Sequence, residues 1–413
     1  MSSATRITAC RFCGGALSIG FCDLGETPLA NSYVRPEHAA TPDPAFPLTV
    51  VVCERCYLVQ LDHIADAAGI FTDYAYFSSF SSTWLAHAAT FTRDAIARHG
   101  LGPRSFVVEI ASNDGYLLRN FVAAGIPCLG VEPAANVAAA ALAAGVPTEI
   151  AFFGRERARA IVAARGHADL VIANNVLAHV PDLDDFVGGL ALLAGPRGVV
   201  SIEAPHLLAL IEQTQFDTIY HEHYAYWSLH AMRQTLAAHG LAVFALEVLP
   251  THGTSLRVSA SAAPQVADPR ALAAVAAREA AAGIAGPALY LGFDARVRSL
   301  LAGFRAWLDK AQRQGRRVAA YGAAAKGNTF LNAGHVTVDD IAMVADRNPE
   351  KQGRLLPGSR IPIVSPAALI AARPDDVVIL PWNIAAEVAG ELASIRAQGG
   401  LLWTAIPCIR QIP

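Results

Sequence analysis

Five consecutive residues, Tyr220-His221-Glu222-His223-Tyr224, bring together two imidazoles, a carboxylate and two phenols. Histidine titrates near neutral pH, and a neighbouring carboxylate can fix its tautomer and raise its basicity, so the set suits proton abstraction by a general base. The same His-x-His spacing on a strand would also place two ligands on one metal ion, and a single histidine can serve packing alone. The thiol spacing that metals favour lies elsewhere. Cys10-Arg-Phe-Cys13 and Cys53-Glu-Arg-Cys56 each set two thiols three positions apart, with 39 residues between the pairs. Four thiolates from two such turns make the closed tetrahedral shell of a structural zinc. Cys22 is the rival ligand, and Cys128 and Cys408 read as small buried hydrophobes.

The elements that must position these residues follow from apolar runs and turn residues. In the first 70 residues, 24–31 and the proline-rich 36–47 read as loops, so this small domain relies on its metal to fold. Residues 71–84 are rich in aromatics and hydroxyls, and Tyr74 and Tyr76 there can pack or line a ligand pocket; an amphipathic helix follows to His99. A strand at 106–110, the loop Ala111-Ser-Asn-Asp-Gly115 and a helix from about Tyr116 form the strand–turn–helix unit at which nucleotide ligands bind. The next strand ends in Glu132, placed to take ribose hydroxyls. A further strand ends in Asn174 and Asn175, with His179 beyond; strand ends collect ligands, and the asparagines can equally cap turns. Strands at 241–249 and 255–260 pair antiparallel at the sheet edge, with His252 exposed in their turn. Residues 268–313 are an alanine-rich helical layer or linker. A second α/β alternation then opens at Arg317, and its small-residue loop carries Lys326 and Asn328 at a helix start, a phosphate-binding arrangement or a close-packing turn.

The chain of 413 residues exceeds what one core supports, and the units fall at 1–70, 71–262 and 263–413. Net charge is −3 with 16% charged residues, which gives no bulk attraction to nucleic acid or anionic membrane. No signal core or membrane-length apolar run is present, and paired cysteines without disulfide context suit a cytoplasmic protein with no obligate protein partner. The absence of G-x-G-x-x-G disfavours a dehydrogenase.

Taken together, these stretches resemble the S-adenosylmethionine (SAM)-dependent C-methyltransferases of nucleotide-activated keto-deoxysugars, over essentially the whole chain. The resemblance rests on the four-cysteine domain, Val108-Glu-Ile-Ala-Ser-Asn-Asp-Gly115, Asn175-Val-Leu-Ala-His-Val180, Tyr220 to Tyr224, His252-Gly-Thr-Ser-Leu-Arg-Val258 and Tyr321-Gly-Ala-Ala-Ala-Lys-Gly-Asn328. Two departures are Ala111, where glycine is usual in the cofactor loop, and Thr254, where a second glycine is expected. The resemblance implies an α/β fold: a small zinc domain, a central Rossmann-like methyltransferase sheet and a C-terminal Rossmann-like domain. It implies SAM and a structural zinc without chemical role as cofactors, and a nucleotide sugar, dTDP-linked, as substrate. By the same resemblance His223 is the base that removes the proton beside the ketone, most simply at C3, and Tyr220 and Glu222 belong to its group. SAM would meet Glu109, Ala111, Asn113, Gly115, Glu132, Asn174 and Asn175. The sugar nucleotide would meet Tyr74, Tyr76, His179, Tyr224 or His221, Lys326 and Asn328. Competing readings are a C-, O- or N-methyltransferase of another carbonyl-activated metabolite and a non-catalytic nucleotide-binding protein.

Overall fold

The computed structural model describes residues 4–64, 77–80 and 82–412. The first sheet starts with β1 (Ile19–Pro28), β2 (Ala45–Val52) and β3 (Val59–Leu61), all antiparallel. Two stretches expected to be loops therefore lie partly in strands, as β1 runs on through residues 24–28 and β2 begins at Ala45. Bulges between Gly20 and Cys22 and between Asp23 and Glu26 absorb the residues that suggested a turn. Pro47 is tolerated because β3 pairs only with Val50–Val52, so β2 has a single neighbour at the proline. Cys22 is buried on β1, where burial pushes its thiol up. It is a core residue rather than a rival zinc ligand.

The central sheet is built from β4 (Val107–Ile110), β5 (Cys128–Glu132), β6 (Thr148–Ile150), β7 (Leu170–Asn174) and β8 (Val199–Pro205), which run parallel. The chain then leaves this sheet. β9 (Ala225–Tyr226) pairs with β3, Ala225 opposite Gln60 and Tyr226 opposite Val59, and so completes the first sheet as its fourth strand. β10 (Ala242–Leu249) and β11 (Ser255–Ser261) return to close the central sheet as an antiparallel edge, in the order β10-β11-β8-β7-β4-β5-β6. Every residue of β4 and β5 is buried, which explains their continuous apolar character: helices cover both faces of a parallel sheet.

The third sheet has the order β14-β13-β12-β15-β16-β17, from β12 (Val318–Tyr321), β13 (Val344–Ala345), β14 (Ile363–Val364), β15 (Asp376–Ile379), β16 (Leu401–Thr404) and β17 (Arg410–Gln411), parallel as far as β16. Cys408 lies in the turn before β17 and is exposed, not the buried hydrophobe expected, because the chain has left the core layer there. Between the second and third sheets, helix Arg270–Ala282 joins the core of the central sheet through Val275. Helix Phe293–Arg313 instead lays Phe293 on Phe21 of β1, with ring centroids 4.3 Å apart. Residues 268–313 are thus a packed layer, not a free linker. Among the described residues no single helix is long and apolar enough to cross a membrane.

Candidate active site

The stretch from Tyr220 to Tyr224 is a turn, not a strand. The His223 amide donates to the Tyr220 carbonyl at 2.8 Å, and this closure brings the imidazole back beneath Thr218 at the end of the 3-10 turn Phe216–Thr218. His223 Nδ1 donates to the Thr218 carbonyl at 2.8 Å, and the Tyr220 hydroxyl bonds Nε2 at 2.7 Å. A carbonyl can only accept, so Nδ1 carries the hydrogen and Nε2 keeps the lone pair. The His179 ring stands edge-on to His223, centroids 4.8 Å apart. His221 faces the other way and meets the Phe46 carbonyl at 3.2 Å, so the two imidazoles of the stretch share no ligand position. Glu222 Oε1 accepts from the Asn31 side chain at 2.6 Å. Tyr224 is fully buried in the core shared by the first and third sheets. Tyr74 and Tyr76 lie outside the described residues.

Burial sets the proton affinities here. It holds His223 well below the ordinary histidine value, and His179, Lys326 and His252 nearby act in the same direction. Burial lowers His179 to about 4 against a hydrogen bond with the Glu222 backbone, and lowers His252 to about 4 with Lys326 adding to the effect. All three imidazoles are therefore neutral at pH 7. His252 is not exposed in its turn, as its sequence position suggested. Its ring packs edge-on against Trp84 at 5.3 Å, because the turn folds inward between the helix Ser82–His99 and the third domain. That turn is anchored from below, where Glu203 on β8 takes Thr251 Oγ1 at 2.9 Å, Arg257 at 2.6 Å and His87 at 3.1 Å.

The third domain closes the other side. Lys326 and Asn328 stand in the first turn of helix Ala325–Ala333, and Lys326 Nζ lies 5.3 Å over the Trp382 ring. Trp382 Nε1 donates to Asp217 at 2.8 Å. Asp217 is raised by burial although Lys326 and Trp382 both favour its charge. Asn328 donates to the Ala30 carbonyl at 3.3 Å, so both Asn31 and its neighbour tie the first domain into the same cleft. Asp217 Oδ1, Asn328 Oδ1 and His252 Nδ1 are buried with no hydrogen-bond partner among the described residues. Asn31, Asp217, His252 and Trp382 were not expected as site residues. Asn31, Asp217 and Trp382 lie in stretches with no local signal and arrive by long-range packing, whereas His252 opens the motif 252–258 without a role assigned to it.

At the carboxyl ends of the central strands, the loop 111–115 is held by Glu132, whose two oxygens accept from the amides of Asn113 and Ala134 at 2.9 Å each. Asn113 Oδ1 accepts from Ser78 N at 2.9 Å, laying residues 77–80 over the loop. The loop passes so close to β5 that a Cβ on Gly130 would fall 2.3 Å from Ser112 Oγ. Ala111 and Asn113 take φ of 54° and 51°, and Gly115 takes 76°. Glu109 is buried on β4, and burial, then Glu132 and Asp114, raise it well above the usual carboxylate value. Glu109 Oε2, Ser112 Oγ, Asn174 Oδ1 and both polar atoms of the Asn175 side chain are buried without partners among the described residues. Such a ring of orphaned groups fits a polar ligand that supplies the missing hydrogen bonds, as the amino-acid and ribose ends of SAM do.

The metal-binding expectation was tested by the sulfur geometry. The Sγ atoms of Cys10, Cys13, Cys53 and Cys56 all lie within 4.8 Å of one another, with Cys10–Cys56 at 3.6 Å and Cys13–Cys53 at 3.4 Å. Tetrahedral Zn–S bonds of about 2.3 Å require S–S edges of about 3.8 Å, so the four fit one zinc ion with no open position. Gly15 leaves room for them: a Cβ there would come 3.0 Å from Cys53 Sγ.

Comparison with known proteins gives three successive domain matches: a zinc binding domain over residues 10–71, a methyltransferase domain over 84–246 and a C-methyltransferase C-terminal domain over 250–407. The C-methyltransferase NovU of Streptomyces niveus is 36% identical over 404 residues, covering 97% of this chain and 96% of its own length. Among solved structures, magnesium protoporphyrin IX methyltransferase from Synechocystis PCC 6803 is 15% identical and covers 43% of this chain and 78% of its own, with a TM-score of 0.31. The PH0226 protein from Pyrococcus horikoshii OT3 is 12% identical and covers 45% of this chain and 94% of its own, with a TM-score of 0.35.

Proposed function

From the premise that the chain belongs to the zinc-containing, SAM-dependent C-methyltransferase family, we propose that it methylates a nucleotide-activated 4-keto-6-deoxy sugar, dTDP-linked, at C3. The observation that carries this reading is the His223 arrangement: a neutral imidazole whose Nδ1–H is spent on the Thr218 carbonyl and whose Nε2 meets a phenol. Methyl transfer to carbon, unlike transfer to oxygen or nitrogen, needs such a base, because a saturated sugar carbon becomes nucleophilic only after losing a proton beside a ketone.

In this reading His223 Nε2 takes the C3 proton, and the C–H electron pair passes into the enolate and onto the C4 oxygen. Tyr220, released from Nε2 as the proton arrives, donates its hydroxyl to that oxygen, where charge has developed. His179, neutral and beside His223, lines the sugar site. Glu222, held by Asn31, takes a sugar hydroxyl, while Lys326 and Asn328 serve the nucleotide's phosphates across the cleft. Glu132, with Glu109, Asn113, Asn174, Asn175 and the backbone of 111–115, holds the cofactor. When bound there, SAM would supply an electrophilic sulfonium methyl whose leaving group is a neutral thioether. The four thiolates close the zinc shell, so the metal serves the fold, and free thiolate ligands suit a reducing, cytoplasmic setting.

The test is incubation of the protein with SAM and a panel of dTDP-4-keto-6-deoxyhexoses in deuterated buffer, read by mass spectrometry and proton NMR. One added methyl on C3, together with C3 proton exchange that His223→Ala abolishes while SAM binding persists, is the expected result. Methylation of a hydroxyl or amine, or exchange and turnover intact in His223→Ala, would overturn the reading.

A further inference from the structure

Arg11 sits inside the first cysteine pair, yet its side chain leaves the zinc site entirely. Nη1 donates to the carbonyls of Val180 at 2.7 Å and Pro181 at 3.1 Å, and Nη2 donates to the carbonyl of Tyr224 at 2.6 Å. Val180 directly follows His179, and Tyr224 directly follows His223. One guanidinium therefore grips the backbone next to two of the three imidazoles, His179 and His223, from segments more than 40 residues apart. Its own base is fixed as well. The Arg11 amide donates to Gln60 Oε1 at 3.1 Å, and Gln60 Nε2 bonds Cys10 Sγ at 3.2 Å, so the same glutamine holds the knuckle and the strand that pairs with β9.

The Arg11 charge is favoured by the Cys10 thiolate and by Asp182, yet its hydrogen bonds all go to neutral backbone carbonyls. No carboxylate lies within ion-pair distance of Arg11 among the described residues, and its Nε is buried without a partner. Burying a cation against neutral carbonyls costs free energy that an apolar side chain would avoid. What arginine supplies and other side chains do not is a rigid planar fork, with donor nitrogens at fixed separation and direction. A fork bonded to two backbone segments fixes the distance between them. The rings that those segments carry are 4.8 Å apart, the spacing on which the cleft depends.

We propose that Arg11 is a positioning residue of the methyl-transfer site, setting the separation of the His179 and His223 segments from the zinc knuckle. The inference rests on the reading of His223 as the base. It explains why the knuckle carries arginine and why β9 joins the first sheet rather than the central one: both hold the catalytic turn against the metal-bound domain.

The experiment compares Arg11→Lys and Arg11→Ala with the wild type for zinc content, SAM affinity, kcat, KM and amide hydrogen exchange, with His223→Ala as reference. A lysine keeps charge and bulk but its single ammonium cannot span both segments. Expected are one zinc per chain and unchanged SAM affinity in both variants, with kcat lowered about 100-fold and KM little changed. Hydrogen exchange should quicken about tenfold in 177–181 and 220–226 and stay unchanged in the central strands. Millimolar guanidinium should restore part of the Arg11→Ala turnover. Wild-type kcat in Arg11→Lys while His223→Ala is inactive would overturn this inference alone. Zinc loss and kcat loss in step in both variants would also overturn it, assigning Arg11 to the fold. Full turnover in His223→Ala would remove the base assignment, and the present inference with it.

Discussion

At the scale of single residues, the proton affinity of His223 has a kinetic signature. A base works only unprotonated, and burial holds this imidazole below its ordinary value, so the neutral form persists as pH falls. The acid limb of kcat/KM, which reports the free enzyme, should therefore lie below the free-histidine pKa of about 6.5. A pH–rate profile already falling by half at that pH would contradict the assignment. Ala111 makes a second case. It is the position where glycine was expected, and its φ of 54° is one that an L side chain adopts at a cost. Ala111→Gly should stabilise the protein by about 1 kcal/mol in urea unfolding, the relieved strain exceeding the entropy glycine adds to the unfolded chain. The departure at Thr254 is of the same kind, with φ of 134°. Both were legible as departures from a pattern, but only the backbone shows that the glycine conformation was kept without the glycine. What the sequence did not reveal at this scale is partner choice. Glu222 was expected in the group of His223, and its bond to Asn31, a residue 191 positions away in a stretch with no motif, was not foreseen.

At the scale of elements, the helix Leu229–Ala237, which follows β9, shows how its start is fixed by buried side chains. Ser228 caps it through the Ala231 amide at 3.0 Å, and Glu279 of the following helical layer takes the amides of Leu229 and His230 at 2.7 and 2.9 Å. The same buried carboxylate pairs with His206 at 2.8 Å. Glu279→Ala should lower unfolding free energy by about 3–5 kcal/mol, since it strips two helix amides and leaves His206 buried alone. Turnover per folded molecule at low temperature should be little changed; urea titration beside an activity assay checks both. The helix itself is readable from the apolar spacing over residues 229–240. Glu279 was not, since an alanine-rich layer gives no sign of which face turns inward. The strand–loop–helix unit around 107–123 was readable for the opposite reason: a buried apolar strand, a small-residue loop and an acid at Glu132 lie within one contiguous stretch. In the first domain, proline and glycine concealed strands because pairing on one side only, and bulges, make such residues tolerable.

At the scale of the whole molecule, side chains of all three domains meet around Asp217 and His223, and Gly253 is a point of close approach. A Cβ there would fall 2.2 Å from the Trp382 ring, and φ of 87° already favours glycine. Gly253→Ala should push the third domain away from this turn and raise KM for the proposed nucleotide-sugar substrate about tenfold or more, with SAM affinity unchanged; steady-state kinetics and calorimetry test it. The order of the domains was evident in the sequence, from the cysteine pairs and the two α/β alternations, but their mutual approach was not, because Trp382–Asp217 and Asn328–Ala30 join residues 165 and 298 positions apart. The detour of β9 has a consequence during synthesis. About 165 residues separate Leu61 from Tyr226, so at ordinary ribosomal speeds the first sheet waits roughly 10–30 s for its last strand. Throughout that interval β3 presents an unpaired edge, the kind of surface to which other nascent chains adhere. Early metal capture by the four cysteines would hold the chain beside that edge in place until its own strand emerges, so zinc depletion of the producing cell is expected to lower soluble yield.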